Sequence, residues 1–346
     1  MRSLKDISLN ISEEEYRKMP ELSYSTLAKY ERGGFDSIPN LFDRIESPSL
    51  TFGSAVDSII TGGIEEFNDR FIVAEFPSIS DSIITIVKYL FNLYKDSNRS
   101  LSTIKDEDII NATIIYKYQL NWKPETRAKV IKEKGEEYYN LLYLSDNKTI
   151  LSIADYSEVL TAVDALRTSP STKWYFTEDN PFDNIRRYYQ LKFKAEFEGV
   201  GYRCMADLII VDYDNKLIIP VDLKTSGHKE YEFHKSFIDW NYQIQARLYW
   251  RIIRDNLDRD PYFKDFELAN YKFIVVNKRN KRPLVWKFIN TTQLGDMVFG
   301  KEGKLLLRDP FTIGKELKYY LDSNAQVPIG ISESEDNDIS EWLNKL

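Results

Sequence analysis

Cysteine and histidine are nearly absent from this chain of 346 residues: Cys204 is its one cysteine, and His228 and His234 are its two histidines. A single cysteine excludes an intramolecular disulfide, a cysteine-ligated iron–sulfur cluster and a multi-cysteine zinc site. Two histidines do not furnish the usual zinc or Ser-His constellations, so any chemistry must rest on carboxylates, lysines and hydroxyls. No stretch approaches the roughly 18 apolar residues of a membrane span. The opening MRSLKDISLNISEEE lacks the apolar core of a secretion signal. The expected setting is therefore the cytoplasm, with no membrane partner. An excess of basic charge is missing too. The 54 acidic residues outnumber the 47 basic ones and leave a formal charge of −7, so no global field draws a polyanion to the surface.

What is there suits a globular protein. At 42% hydrophobic residues the chain can bury a core as one large domain or two smaller ones. The first 60 residues read as short helices, with Ser23 and Ser25 as caps before TLAKYERG, and LTFGSAVDSIITGG as a tightly packed helix closed by Gly-Gly. Residues 64–175 are mostly helical in pattern, including ILSIADYSEVLTAVDALRTSP, where Ser152 and Asp155 form a capping-box pattern before the stop at Pro170. From residue 186 the character changes. Aromatic and β-branched runs broken by EGVG and DYDN read as three antiparallel strands, followed by a long helix over 231–256. YKFIVVNKRNKRPLVWKFI reads as a hairpin, LGDMVFGKEGKLLLRD as the start of further helix, and residues 326–346 as an acidic tail. The basic clusters in KPETRAKVIKEK, at Arg186-Arg187 and in KRNKR at 278–282 each read, taken alone, as solvated faces.

The stretch VDLKTSG at 221–227 puts Asp222 and Lys224 on one face of a strand, since residues i and i+2 lie roughly 7 Å apart on the same side. With a two-residue turn at Asp214-Asn215, Val211 pairs with Ile218 and Asp207 falls opposite Asp222. Two facing like charges are destabilising unless something positive lies between them. A divalent cation resolves this, because Mg²⁺ takes one or two carboxylates, keeps waters and accepts phosphate oxygens. Lys224 would then orient or help deprotonate an attacking water and offset charge on phosphorus, and the carbonyl of Leu223 would complete the coordination. The plainer reading of Asp222 and Lys224 is a surface ion pair, worth little. On the following helix Tyr242, Gln245 and Tyr249 share one face. Gln245 either meets a phosphate or base, or ties that helix to the sheet. Arg203 shares the side of Asp207 by alternation and meets either a phosphate or Glu196, while Cys204 faces away as a small core residue.

These residues resemble the PD-(D/E)XK nuclease superfamily in its RecB-like branch, and more closely the phage and prophage exonucleases of the RecE (exodeoxyribonuclease VIII) type. The motifs read here as ELSYSTLAKYERG, FGSAVDSII, YRCMADLII, VDLKT and NYQIQARLY, and the likeness covers roughly 20–290. It implies an α/β fold with a restriction-endonuclease-like core: a mixed, mostly antiparallel central sheet flanked by helices, preceded by a large helical elaboration. On that reading 1–325 is a single nuclease domain, with 64–175 the elaboration and 186–290 the core sheet and motif helix.

The same resemblance implies Mg²⁺-dependent hydrolysis of DNA from its ends, with Mn²⁺ tolerated, in phage or mobile-element recombination or replication. Asp207 and Asp222 would be metal ligands, Lys224 the catalytic lysine, and Gln245 and Tyr249 substrate-side or supporting residues. Asp57 stands where many relatives have histidine and is either a further ligand or an exposed helical carboxylate. Gln190, Glu196 and Glu198 occupy the strand where relatives often carry a glutamate. A single-strand annealing protein as partner and a homo-oligomeric ring are further implications. A structure-specific endonuclease of the same superfamily, or an inactive DNA-binding module on that fold, stand as alternatives.

Overall fold

A computed structural model describes residues 2–43, 47–97, 100–300 and 303–323; the acidic tail expected at 326–346 lies outside the described residues. The helices in chain order are α1 (Glu13–Lys18), α2 (Tyr24–Gly33), α3 (Pro48–Arg70), α4 (Asp81–Tyr94), α5 (Asp106–Ile115), α6 (Pro124–Ser145), α7 (Ile153–Thr168), α8 (Phe233–Asp239), α9 (Tyr242–Asp258) and α10 (Pro310–Ser323). The strands are β1 (Phe71–Ala74), β2 (Thr149–Ser152), β3 (Ile185–Phe197), β4 (Val200–Asp212), β5 (Leu217–Ser226), β6 (Glu267–Leu268), β7 (Lys272–Asn277), β8 (Pro283–Lys287), β9 (Met297–Phe299) and β10 (Leu305–Leu307). They divide into two compact units, one made of Met1–Ser47 with Asp164–Leu346 and the other of Pro48–Val163.

The first unit is mixed α/β, as its sequence pattern leads one to expect. Its sheet runs β3-β4-β5-β7-β8, with β6 beside the start of β5. The β3/β4, β4/β5 and β7/β8 pairs are antiparallel, while β5 and β7 are parallel, a connection that needs the α8–α9 crossover. The apolar stripe of Ile244, Leu248 and Ile252 on α9 packs into the core formed by β3, β4 and β7. Ser23 caps α2, accepting from the Thr26 amide, and Ser152 accepts from the Asp155 amide at 3.0 Å; Ser25, expected as a second cap, lies inside α2 instead.

Several local expectations are corrected. The β4/β5 hairpin has the expected register, Val211 against Ile218, but its last rung is Asp212 against Leu217 and the loop is four residues long. Lys216, at φ 49°, takes the left-handed position expected of Asp214-Asn215, while the Asp212 carboxylate accepts from the Asn215 amide. The single helix expected over 231–256 is two, because Asn241 adopts φ 54° between α8 and α9, a conformation asparagine tolerates. LGDMVFGKEGKLLLRD is a hairpin of β9 and β10 with Gly300 and Gly303 at positive φ; the helix begins only at Pro310.

In the second unit α4, α5 and α6 enclose Ile86, Val87, Leu90, Ile109, Ile131 and Tyr139, and β1 pairs with β2 in parallel. The Gly-Gly stop in α3 is real: Gly63 stands at φ 77° and interrupts the helix. Gly135 on α6 has a different cause. A Cβ there would lie 2.6 Å from Val87 Cγ2 and 2.9 Å from Leu101 Cδ2, so the absent side chain is what lets α6 close on α4. Gly135→Ala is expected to destabilise this unit by about 1–3 kcal/mol through overpacking, outweighing alanine's helix preference of about 1 kcal/mol. Urea denaturation reads this directly, and an unchanged or higher midpoint would refute the close approach.

Candidate active site

The site forms where β4 and β5 part. Their ladder ends at Leu208 against Val221, so Asp207 and Asp222, next in register, have no backbone rung between them. The Asp207 carboxylate takes the place of that rung, Oδ2 accepting from the Leu223 amide at 2.9 Å. Beyond this point β5 continues on β7, with Asp222 against Phe273 and Lys224 against Val275. A strand residue's N–H and C=O project to the same side. The Leu223 carbonyl therefore shares the edge that Asp207 faces.

Asp222 is 1% exposed and sits under α9. Gln245 Nε2 donates to its Oδ1, and the Lys224 ammonium is ion-paired with its Oδ2. Among the described residues Gln245 Oε1 and the buried Tyr271 hydroxyl have no hydrogen-bond partner. Lys224 Nζ lies 5.0 Å above the Tyr242 ring, which stacks on Phe273 with centroids 5.6 Å apart. Burial works to lower the Lys224 pKa, yet Asp222, Tyr242 and Asp207 together hold it above the ordinary lysine value, so this side chain is a fixed cation.

The helix face expected of Tyr242, Gln245 and Tyr249 is formed, and each member has a separate task. Tyr242 floors Lys224 and Gln245 fastens α9 to Asp222. Tyr249 is buried against Tyr271, ring centroids 6.3 Å apart, so it supports the site from behind; burial pushes its hydroxyl pKa well up. Tyr24 and Tyr271 are members that sequence reasoning misses. The Tyr24 ring leans on Tyr242 at 6.3 Å and its hydroxyl donates to the Trp240 carbonyl at 2.7 Å. Tyr271 and Tyr249 both feel the charges of Asp222 and Asp207. No spacing links position 24 or 271 to the D-x-K strand; only packing does.

Arg203 has another role than those expected. Its guanidinium donates to the Tyr16 carbonyl and lies 4.9 Å over the Tyr16 ring, and it is 8% exposed. The reason is a slip in alternation. Leu191, Phe193, Ala195, Tyr202, Cys204 and Ala206 enter the core at one end of β3 and β4, but Tyr188, Ile209 and Val211 do so at the other. The change of parity falls at Gln190 and Asp207, the one position skipped between rungs, and Gln190 carries φ 53°. Alternation counted along β4 from Arg203 or Cys204 to Asp207 therefore fails, although Cys204 is a buried core residue as expected. Asp57 stands half-buried on α3 in the other unit.

The donors fit a hard divalent cation: two carboxylates, one of them buried, beside a backbone carbonyl. Among the described residues no group of three or more His, Cys, Asp or Glu converges, so water and substrate oxygens would fill the remaining positions, as Mg²⁺ commonly arranges. Among the described residues no helix is long and apolar enough to cross a membrane. No protein-family model matches the chain, and no curated protein matches it. A crystal structure described as a "putative exonuclease" from Eubacterium rectale is similar over 91% of this chain and 84% of that one, at 11% identity and a TM-score of 0.38, a likeness too distant to bear on function.

Proposed function

We propose that this chain is a Mg²⁺-dependent deoxyribonuclease with a restriction-endonuclease-like, PD-(D/E)XK core, acting from duplex ends in the manner of the RecE-type exonucleases its motifs resemble. The observation that carries this reading is the buried Asp222 carboxylate, held with one oxygen on Gln245 and the other on Lys224. Asp207 comes next in register opposite it, and like charges facing across a sheet repel, a cost that one neighbouring ammonium only partly offsets. A cation completing the site removes that cost.

In this reading Asp207 and Asp222 hold the metal with the Leu223 carbonyl, Gln245 keeps Asp222 oriented, and Tyr249 and Tyr271 exclude water from the rear. The bound divalent ion would supply Lewis-acid polarisation of the scissile phosphate, with Mn²⁺ able to replace Mg²⁺. Lys224, fixed between Asp222 and the Tyr242 ring, holds the attacking water and offsets the charge that gathers on the phosphate oxygens. A single-strand annealing protein and a homo-oligomeric ring belong to the same reading.

The test is digestion of end-labelled linear duplex beside a covalently closed circle, with Mg²⁺ and with EDTA. Metal-dependent loss of the linear substrate alone is the expected result. Cleavage of the circle moves the assignment to an endonuclease, and folded protein that degrades neither substrate with Mg²⁺ or Mn²⁺ ends the catalytic reading.

A further inference from the structure

The turn between β7 and β8, KRNKR at 278–282, is built onto the strand that carries Lys224. The Lys278 amide donates to the Ser226 carbonyl at 2.8 Å, extending the β5/β7 ladder by a rung. Asn277, 4% exposed, locks the turn from below. Its Oδ1 accepts from the amides of Arg279 at 2.7 Å and Asn280 at 3.2 Å, and its Nδ2 donates to the His228 carbonyl at 2.6 Å. Arg279 and Arg282 project from this frame as exposed side chains, and neither takes part in an ion pair among the described residues. Glu230, bonded to Asn280 Nδ2 at 2.9 Å, is the acidic neighbour, and Lys229 adds a further positive charge on the adjoining loop. The rigid frame thus presents two exposed guanidiniums, with Glu230 offsetting part of the charge of Arg282, and the positive field that remains attracts an anion. Ser226 lies two residues beyond Lys224, about 7 Å along the strand, which is close to the spacing of successive phosphates on one nucleic-acid strand.

We infer that the 278–282 turn is a phosphate-binding clamp that holds the DNA backbone beside the scissile phosphodiester, with Arg279 and Arg282 as its contacting groups. This rests on the nuclease reading above and adds the path of the substrate strand. The clamp is sequence-independent, since phosphate contacts position without specifying bases.

The experiment is fluorescence-anisotropy titration of the full chain with labelled linear duplex in EDTA across a salt series, beside steady-state digestion in Mg²⁺. For Arg279→Ala/Arg282→Ala the affinity is expected to fall tenfold or more at low salt. The log–log salt slope should become less negative by about 0.9 for each phosphate that the protein no longer neutralises, and KM should rise several-fold more than kcat falls. Arg279→Lys/Arg282→Lys should keep most of the parent slope, which separates missing charge from a damaged turn. If the alanine variant binds with the parent's affinity and slope while the parent digests DNA, the clamp is wrong and the nuclease reading stands. If the parent neither binds nor digests DNA, both fall.

Discussion

Asp222→Asn is expected to remove metal-dependent DNA hydrolysis, lowering the rate by a factor of about 10³ or more, while the protein stays folded and binds DNA in EDTA. Asparagine has the shape of aspartate and can still accept the Gln245 amide through its own oxygen, so the helix α9 tie survives. What goes is the negative charge that both attracts a divalent cation and fixes the Lys224 ammonium. Losing one preorganised electrostatic group costs about 2.7–4 kcal/mol in comparable sites, and here two such effects go together. Lys224→Ala should lose a similar amount with metal binding retained, which isothermal titration with Mn²⁺ reads independently of turnover. Activity within tenfold of the parent in Asp222→Asn would show that Asp222 is not a ligand.

The second large effect is on stability. Lys224→Met leaves the Asp222 carboxylate buried with only Gln245 beside it, and breaking a buried pair from one side costs about 3–5 kcal/mol. Lys224 is 17% exposed, so solvent screening brings the expectation to the lower end, about 3 kcal/mol. The double variant Lys224→Met/Asp222→Leu should recover most of the loss, because apolar packing replaces a buried ion pair at little or no cost. Saturating Mg²⁺ should also rescue Lys224→Met, by about 2.7 kcal/mol at a hundredfold excess over Kd, but not the double variant. Urea denaturation in EDTA and in Mg²⁺ measures all four cases. A single variant within about 1 kcal/mol of the parent would mean that Asp222 is solvated and the site is open.

The basic turn and the acidic pair bear on the chain's negative balance. If the chain acts on DNA as proposed, its formal charge of −7 opposes long-range approach, so the local field of Arg279, Arg282 and the proposed cation would carry the encounter, and binding is expected to weaken steeply with salt.

How far the sequence reached differs by residue. Within one strand the backbone period settles which side chains share a face, and D-x-K is legible for that reason. The β4/β5 register is legible too: pairing Val211 with Ile218 carries Asp207 to Asp222 whatever the turn's detailed conformation, so an error about Asp214-Asn215 does no harm. Helical periodicity likewise puts Gln245 on the sheet side of α9. Alternation fails where the β3/β4 ladder skips one rung at Gln190 and Asp207 and parity shifts, and with it the expectation for Arg203.

By itself, then, the sequence determined the carboxylate pair, the lysine beside it and the glutamine above, because strand and helix periods and hairpin register are local properties of the chain. Only the tertiary structure decided that β4 and β5 separate at Asp207, that Leu223 donates into the gap, that Tyr24 and Tyr271 close around the site, and that the 278–282 turn is locked to the loop after Lys224. Those contacts join residues tens to hundreds of positions apart, and they follow from how whole elements pack rather than from any spacing along the chain.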